Sequence, residues 1–132
     1  NGTFRGNIHA FVTARVAIEK FWSDDRFQAR LAEKSALIGD RLADLAAIIP
    51  GGKIKGRGMM LGVDVGTGAL AADICARAFD KGLMIETSGN EGQIVKVLAP
   101  LTTSEATLNK GLDILLSAAN AALDAPERIA AE

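Results

Sequence analysis

A small α+β domain, a few-stranded sheet covered by helices, is the fold class the sequence predicts, on three observations. Several stretches carry apolar residues at spacings of three, four and seven, the period of an amphipathic helix. Three shorter runs, rich in aliphatic residues and bounded by glycines, read as strands. The order is helix, helix, strand, helix, strand, strand, helix, a mixed connectivity that suits a sheet layered with helices.

The chain opens on a glycine-rich loop, Gly2-Thr3-Phe4-Arg5-Gly6, and turns helical from Asn7. Ala10, Ala14, Ala17 and Phe21 share one face of this first helix, mixed with Phe11 and Val12, so a closely packed partner is expected. Ser23 is the expected N-cap of the second helix, with Asp24 and Asp25 in the first turn, where the helix dipole favours carboxylates. That helix runs to about Ile49. Phe27, Leu31, Ile38, Leu42, Leu45 and Ile49 trace its buried stripe, and Pro50-Gly51-Gly52 ends it.

The period then changes. Met59 to Val65 is a strand, preceded by Gly56-Arg57-Gly58 and broken by Gly66-Thr67-Gly68. Leu70 to Phe79 is helical, closed by Gly82 at the C′ position. Leu83 to Glu86 and Ile94 to Leu98 are strands, separated by the turn Ser88 to Gly92, and Pro100 stops the second. Thr102-Thr103-Ser104-Glu105 matches a capping box, with Thr102 capping and Glu105 reaching back. The last helix buries Leu108, Leu112, Leu115, Ala119 and Ala122 or Leu123, and ends at Ala125-Pro126.

Composition narrows the function. The 132 residues are 48% apolar and 23% charged with a net charge of −1, ordinary for a globular domain with its own core. Basic residues form no stripe, so a nucleic-acid partner is not expected. Apolar runs are far too short to span a bilayer, and no signal peptide is visible, so no membrane partner is expected. The lone Cys75 cannot form an intramolecular disulfide, which fits a reducing, cytoplasmic location, and it reads as a small buried thiol. The chain does not begin with Met, and its first residues read like a protein interior, so a fragment is expected.

Few side chains could carry chemistry. His9 is the single histidine and no metal-ligand spacing accompanies it, so no metal is expected. Asp24 and Asp25 read as a solvated helix start. Gly56-x-Gly58 precedes a strand rather than a helix, so it reads as a tight turn and not a dinucleotide fingerprint. The loop Gly2 to Asn7 offers a hydroxyl and backbone N–H groups at a helix N-terminus, a combination suited to a phosphate as well as to an ordinary junction. Lys96 shares its strand face with Ile94 and Leu98, so its ammonium lies at an exposed edge or is aimed at an anion. Glu86 on the neighbouring strand is one possible partner.

Four segments together resemble one family, the class III aminotransferases. They are Gly2-Thr3-Phe4-Arg5-Gly6-Asn7, Lys55-Gly56-Arg57-Gly58-Met59-Met60-Leu61-Gly62, Lys81-Gly82-Leu83-Met84, and Val95-Lys96-Val97-Leu98-Ala99-Pro100-Leu101. They stand in the family's order and spacing across nearly the whole chain. Phe4-Arg5-Gly6, Phe11-Val12-Thr13-Ala14, Ile85-Glu86-Thr87-Ser88-Gly89 and Lys96 look most like diaminobutyrate–2-oxoglutarate transaminases, of the kind that feed ectoine synthesis.

The resemblance implies the C-terminal small domain of the aspartate-aminotransferase fold (pyridoxal-phosphate fold type I). Residues 1–22 would be the active-site loop and linking helix, and 23–132 the small α+β domain. It implies a homodimer or larger, pyridoxal 5'-phosphate as cofactor, and small amino-acid and 2-oxo-acid substrates. The amino group would move between glutamate/2-oxoglutarate and L-2,4-diaminobutyrate/aspartate 4-semialdehyde. Thr3 matches the threonine that donates to the cofactor phosphate of the neighbouring subunit. Lys96 falls where most relatives carry an arginine that binds a substrate carboxylate. The lysine of the internal aldimine lies upstream of the Thr3 motif in the family, and none of the seven lysines here sits in that motif, so no catalytic residue is expected in this chain and it should be inactive alone. Two other readings stand beside this one: another class III ω-aminotransferase of 4-aminobutyrate or ornithine type, and a free-standing module for binding or oligomerisation.

Overall fold

The structure is a computed structural model that describes Gly2 and residues 5–125. Its elements are α1 (Ile8–Phe21), α2 (Arg26–Ile48), β1 (Lys53–Arg57), β2 (Met60–Asp64), α3 (Gly68–Asp80), β3 (Glu86–Ser88), β4 (Ile94–Leu98) and α4 (Glu105–Leu123). The strands form one sheet in the order β1-β2-β4-β3, every neighbouring pair antiparallel.

One face of that sheet carries the core. Period-2 alternation points Leu61 and Val63 of β2 and Val95 and Val97 of β4 to the same side, where all four are buried against helices. Ile38, Leu42 and Leu45 of α2, Ala71, Ile74 and Ala78 of α3, and Leu108, Leu112 and Leu115 of α4 complete the cluster. Small residues at Ala118, Ala119 and Ala122 let α4 lie close to its neighbours. The opposite face of the sheet bears Met60, Gly62 and Asp64 of β2 and Ile94, Lys96 and Leu98 of β4. No described helix covers it, and Met60 and Leu98 are more than half exposed.

The stripes of α2 and α4 match the reading from periodicity, with Phe27, Ile38, Leu42, Leu45 and Ile49 buried. The caps differ. The second helix begins at Arg26, not beside Ser23; Asp24 takes the Arg26 N–H on its Oδ1 at 3.0 Å, and its carboxylate also accepts from the Arg26 guanidinium. That side-chain hydrogen bond is the main reason the Asp24 carboxyl titrates below its usual range. The last helix is capped by Ser104 rather than Thr102: Ser104 Oγ accepts from the Thr107 N–H at 3.2 Å, which starts the helix at Glu105 itself and leaves the capping box unformed. Thr67, read as part of a break, caps α3 by accepting from the Leu70 N–H.

Two strands also differ. β1 is additional to the three expected; Lys53-Ile54-Lys55-Gly56-Arg57 is exposed throughout and lacks an apolar alternation, and pairing with β2 is what makes it a strand. Its charges suit an edge, where they discourage a further chain from adding on. The strand expected at Leu83–Glu86 begins three residues later. Gly82, at φ +86, closes α3 in a Schellman arrangement: the Leu83 N–H donates to the Ala78 carbonyl at 2.9 Å, and the Gly82 N–H to Phe79 at 2.8 Å. Leu83 therefore has no N–H to give a ladder, and pairing starts at Glu86.

α1 stands apart from this body. Asn7 caps it by accepting from the His9 N–H at 3.0 Å, and none of its residues is buried. The close-packed partner expected for its alanine face is not found among the described residues. Its larger residues Ile8, Phe11, Val12 and Ile18 are each more than half exposed as well. Its C-terminal end is held by an aromatic knot in which the Phe21 and Trp22 rings each lie 4.9 Å from that of Phe27.

Candidate functional site

The uncovered sheet face holds the charged residue singled out from sequence. Lys96 sits at the centre of β4, and β4 lies between β2 and β3, so the alternative of an exposed edge is corrected by the strand order. Its ammonium is 2.9 Å from Glu86 Oε1. The two residues are directly opposed in the β3–β4 register, the arrangement in which opposite charges meet across a ladder. The Lys96 side chain is 24% exposed and that of Glu86 71%. An ammonium in this half-covered position has its partner, so no described polar side chain is left buried alone there.

Beside this pair the chain opens a cavity. Where Leu83 to Ile85 runs past β4 without pairing, a space of about 540 Å³ lies between that segment, the end of β4 and α4. Leu98, Leu108, Leu112 and Leu115 make its lining largely apolar, and Glu86 and Lys96 are the charged residues that border it.

The remaining sequence candidates do not join them. Thr3 lies outside the described residues. At the helix junction next to it, Arg5 donates its N–H to Gly2, Gly6 takes φ +85, and Asn7 uses its side chain as a cap. His9 is exposed in the first turn of α1, and no group of three potential metal ligands occurs among the described residues. Cys75 is half-buried, and burial pushes its thiol up, away from the reactive thiolate. Lys55 and Gly62 share the row of Lys96 across the sheet; the β2–β4 pairing sets Gly62 opposite Lys96, and the hairpin pairing of β1, itself unforeseen, sets Lys55 opposite Gly62. No described helix is long and apolar enough to cross a membrane.

The family model for class III aminotransferases matches residues 1–119 of this chain. The chain belongs to that family. Among curated relatives, an uncharacterised aminotransferase of Sinorhizobium fredii is 49% identical over 117 residues, covering 87% of this chain and 26% of that protein. A diaminobutyrate–2-oxoglutarate transaminase of Halomonas elongata is 46% identical over 119 residues, covering 87% and 28%. The chain thus spans little more than a quarter of the length of these relatives. Among solved structures, the N-acetylornithine aminotransferase of Stenotrophomonas maltophilia aligns with a TM-score of 0.71 at 24% identity, over 86% of this chain and 31% of that one. A PMP-bound aminotransferase from Vibrio fluvialis aligns at 0.64 and 19%, over 76% and 24%. The small α+β fold is that of the corresponding part of aminotransferases.

The described residues do not by themselves fit the pyridoxal phosphate that this family implies. Among them Lys96 is the one lysine bordering the cavity, and Glu86 holds its ammonium. Lys34 and Lys81 are engaged elsewhere, with the Leu101 carbonyl and the Ser117 hydroxyl. No described polar side-chain atom is buried and unpartnered as a cofactor contact would leave it.

Proposed function

We propose that this chain is the C-terminal part of a pyridoxal-phosphate-dependent transaminase that moves an amino group between glutamate/2-oxoglutarate and L-2,4-diaminobutyrate/aspartate 4-semialdehyde. The observation that carries this reading is the similarity to the Halomonas elongata transaminase over nearly the whole chain, together with a lysine at position 96. In this reading residues 1–22 form the active-site loop and linking helix and residues 23–132 the small domain; an α1 with no buried residue of its own supports that division. The lysine of the internal aldimine belongs, in this reading, to polypeptide outside this chain. The intact enzyme works as a homodimer or larger, in the cytoplasm. A donor panel on the intact enzyme tests the substrate: diaminobutyrate with 2-oxoglutarate should be preferred, and preference for 4-aminobutyrate or ornithine overturns it.

Lys96 contacts the substrate carboxylate region in this proposal. Its position on an uncovered face, paired only with the largely exposed Glu86, supports the role. An ammonium is a point charge rather than a planar fork, so its grip is looser than an arginine's. Lys96→Ala in the intact enzyme should raise KM for glutamate or 2-oxoglutarate about tenfold or more, on the order of 1.4 kcal/mol. Thermal stability should move little, because an ion pair open to solvent contributes about 0–1 kcal/mol. Normal KM with a large loss of stability would make Lys96 a structural ion-pair partner instead.

Thr3 is proposed to donate to the cofactor phosphate of the neighbouring subunit. One hydrogen bond to a charged group contributes about 1.5–3 kcal/mol. Thr3→Ala should therefore weaken cofactor binding roughly 10- to 150-fold without abolishing turnover at saturating cofactor. Unchanged cofactor affinity, measured by equilibrium dialysis of the intact enzyme, removes Thr3 from the site.

A further inference from the structure

Sheet pairing stops short on one side of β4. The ladder with β2 runs to Leu98, opposite Met60, while the ladder with β3 ends at Lys96, opposite Glu86. The Val65 N–H donates to the Gln93 carbonyl at 2.9 Å, so by alternation the N–H and C=O of Leu98 point away from β2, towards the β3 side. Met84 would be next in register there, but it lies outside β3, and among the described residues no main-chain hydrogen bond joins it to Leu98. Both residues are exposed, Met84 to 86% and Leu98 to 58%. At this point the apolar cavity of about 540 Å³ opens. Its far wall is α4, where Gly111, in the middle of the helix, leaves the backbone bare. No described neighbour requires a glycine there: a Cβ would meet Leu83 Cδ1 at 3.5 Å, an ordinary contact, although glycine is a poorer residue than alanine inside a helix.

We propose that the cavity seats an extended apolar segment of the same protein from outside these 132 residues, which pairs with Leu98 as a further short strand and lays an apolar side chain over Gly111. The inference rests on the reading of the chain as part of a longer transaminase and is independent of the role of Lys96. A strand that outruns its neighbour presents main-chain groups that template another strand. A helix has its own main chain already bonded, so α1 of a second copy does not answer Leu98. The exposed strand that a second copy brings is β1, which offers one apolar side chain, Ile54, among the cations Lys53, Lys55 and Arg57, a poor match for an apolar lining. Polypeptide of the required kind is in supply: the chain covers 26% and 28% of its relatives, so the greater part of a protein of that length lies beyond it.

Photo-cross-linking in the intact enzyme tests this. Met84→benzoylphenylalanine places the probe at the cavity rim on an exposed residue, where it disturbs no core. After irradiation and digestion, mass spectrometry should find the cross-link on an apolar segment outside residues 1–132. Mixing isotopically labelled with unlabelled enzyme should show that it forms within one subunit. Phe79→benzoylphenylalanine, also exposed but on α3 and not bordering the cavity, should not reach that segment. In the unmodified enzyme the Leu98 amide should exchange its hydrogen about a hundredfold or more slower than a free amide. A cross-link to a second subunit or to a residue within 1–132, no cross-link at all, or free exchange at Leu98 overturns the proposal. Transaminase activity assayed on the same preparation keeps the two readings apart. Activity without the cross-link removes the segment and leaves the function standing, and the cross-link without activity does the reverse.

Discussion

Gly56→Ala should destabilise the chain by about 3 kcal/mol or more. Gly56 sits in β1 at φ +101, a conformation that side-chain-bearing residues take at a cost of about 1–3 kcal/mol. Space is the second obstacle: a Cβ there would lie 2.2 Å from the Met60 carbonyl oxygen and 3.2 Å from the Leu61 Cα, backbone atoms of the paired strand. The neighbour is not a flexible side-chain end, so relief requires β1 and β2 to separate. Gly58, in the two-residue turn of the same hairpin, is the internal control. Its φ of +61 is left-handed, yet nothing lies within 4 Å of its missing Cβ. Gly58→Ala should cost about 1 kcal/mol, and Gly58→Asn less, because asparagine tolerates that region. Against a total stability of about 5–15 kcal/mol for a domain, the first change is severe and the second mild. Thermal melts of the two variants check this. Equal shifts would show that backbone conformation alone, and not the close approach across the hairpin, sets the cost at Gly56.

The same hairpin marks where the sequence stops being legible. The stripes of α2 and α4 could be read because each helix buries one face and repeats that fact at every turn, from Phe27 to Ile49 and from Leu108 to Ala122. Cap positions were less readable: α2 has Asp25 at its N-cap with no side-chain cap bond, and Ser104 rather than Thr102 accepts the cap bond of α4. β1 was invisible because an edge strand with no buried residue carries no hydrophobic signal of its own. The Lys96–Glu86 pair lay within reach of the sequence, since alternation put the lysine on a face and the neighbouring segment supplied an acid. That β4 lies inside the sheet, with Lys96 facing away from every described helix, depends on the strand order and cannot be read from β4 alone.

α1 illustrates the opposite case, a pattern that was legible but whose partner is not found among the described residues. Alanines occupy one side and Ile8, Phe11, Val12 and Ile18 much of the rest, beside a polar strip of His9, Thr13 and Lys20; an apolar surface this wide is one that a globular protein ordinarily buries. Its Arg15 and Glu19 pair with each other at 2.7 Å, so these two charges are matched within the helix. Such a helix fits a longer polypeptide, in keeping with relatives of which the chain covers 26% and 28%.

On the function proposed above, this chain carries peripheral parts of a transaminase and not its reacting centre. The nucleophile that holds and releases the cofactor is the group without which no transamination proceeds. The direct experiment is to mix the purified chain with pyridoxal phosphate, glutamate and an amino acceptor, follow product formation, and record the absorbance left after dialysis. No turnover is expected, and no stoichiometric chromophore should survive dialysis. A one-to-one chromophore that persists, accompanied by turnover, would place the reacting centre within these 132 residues and contradict the proposal.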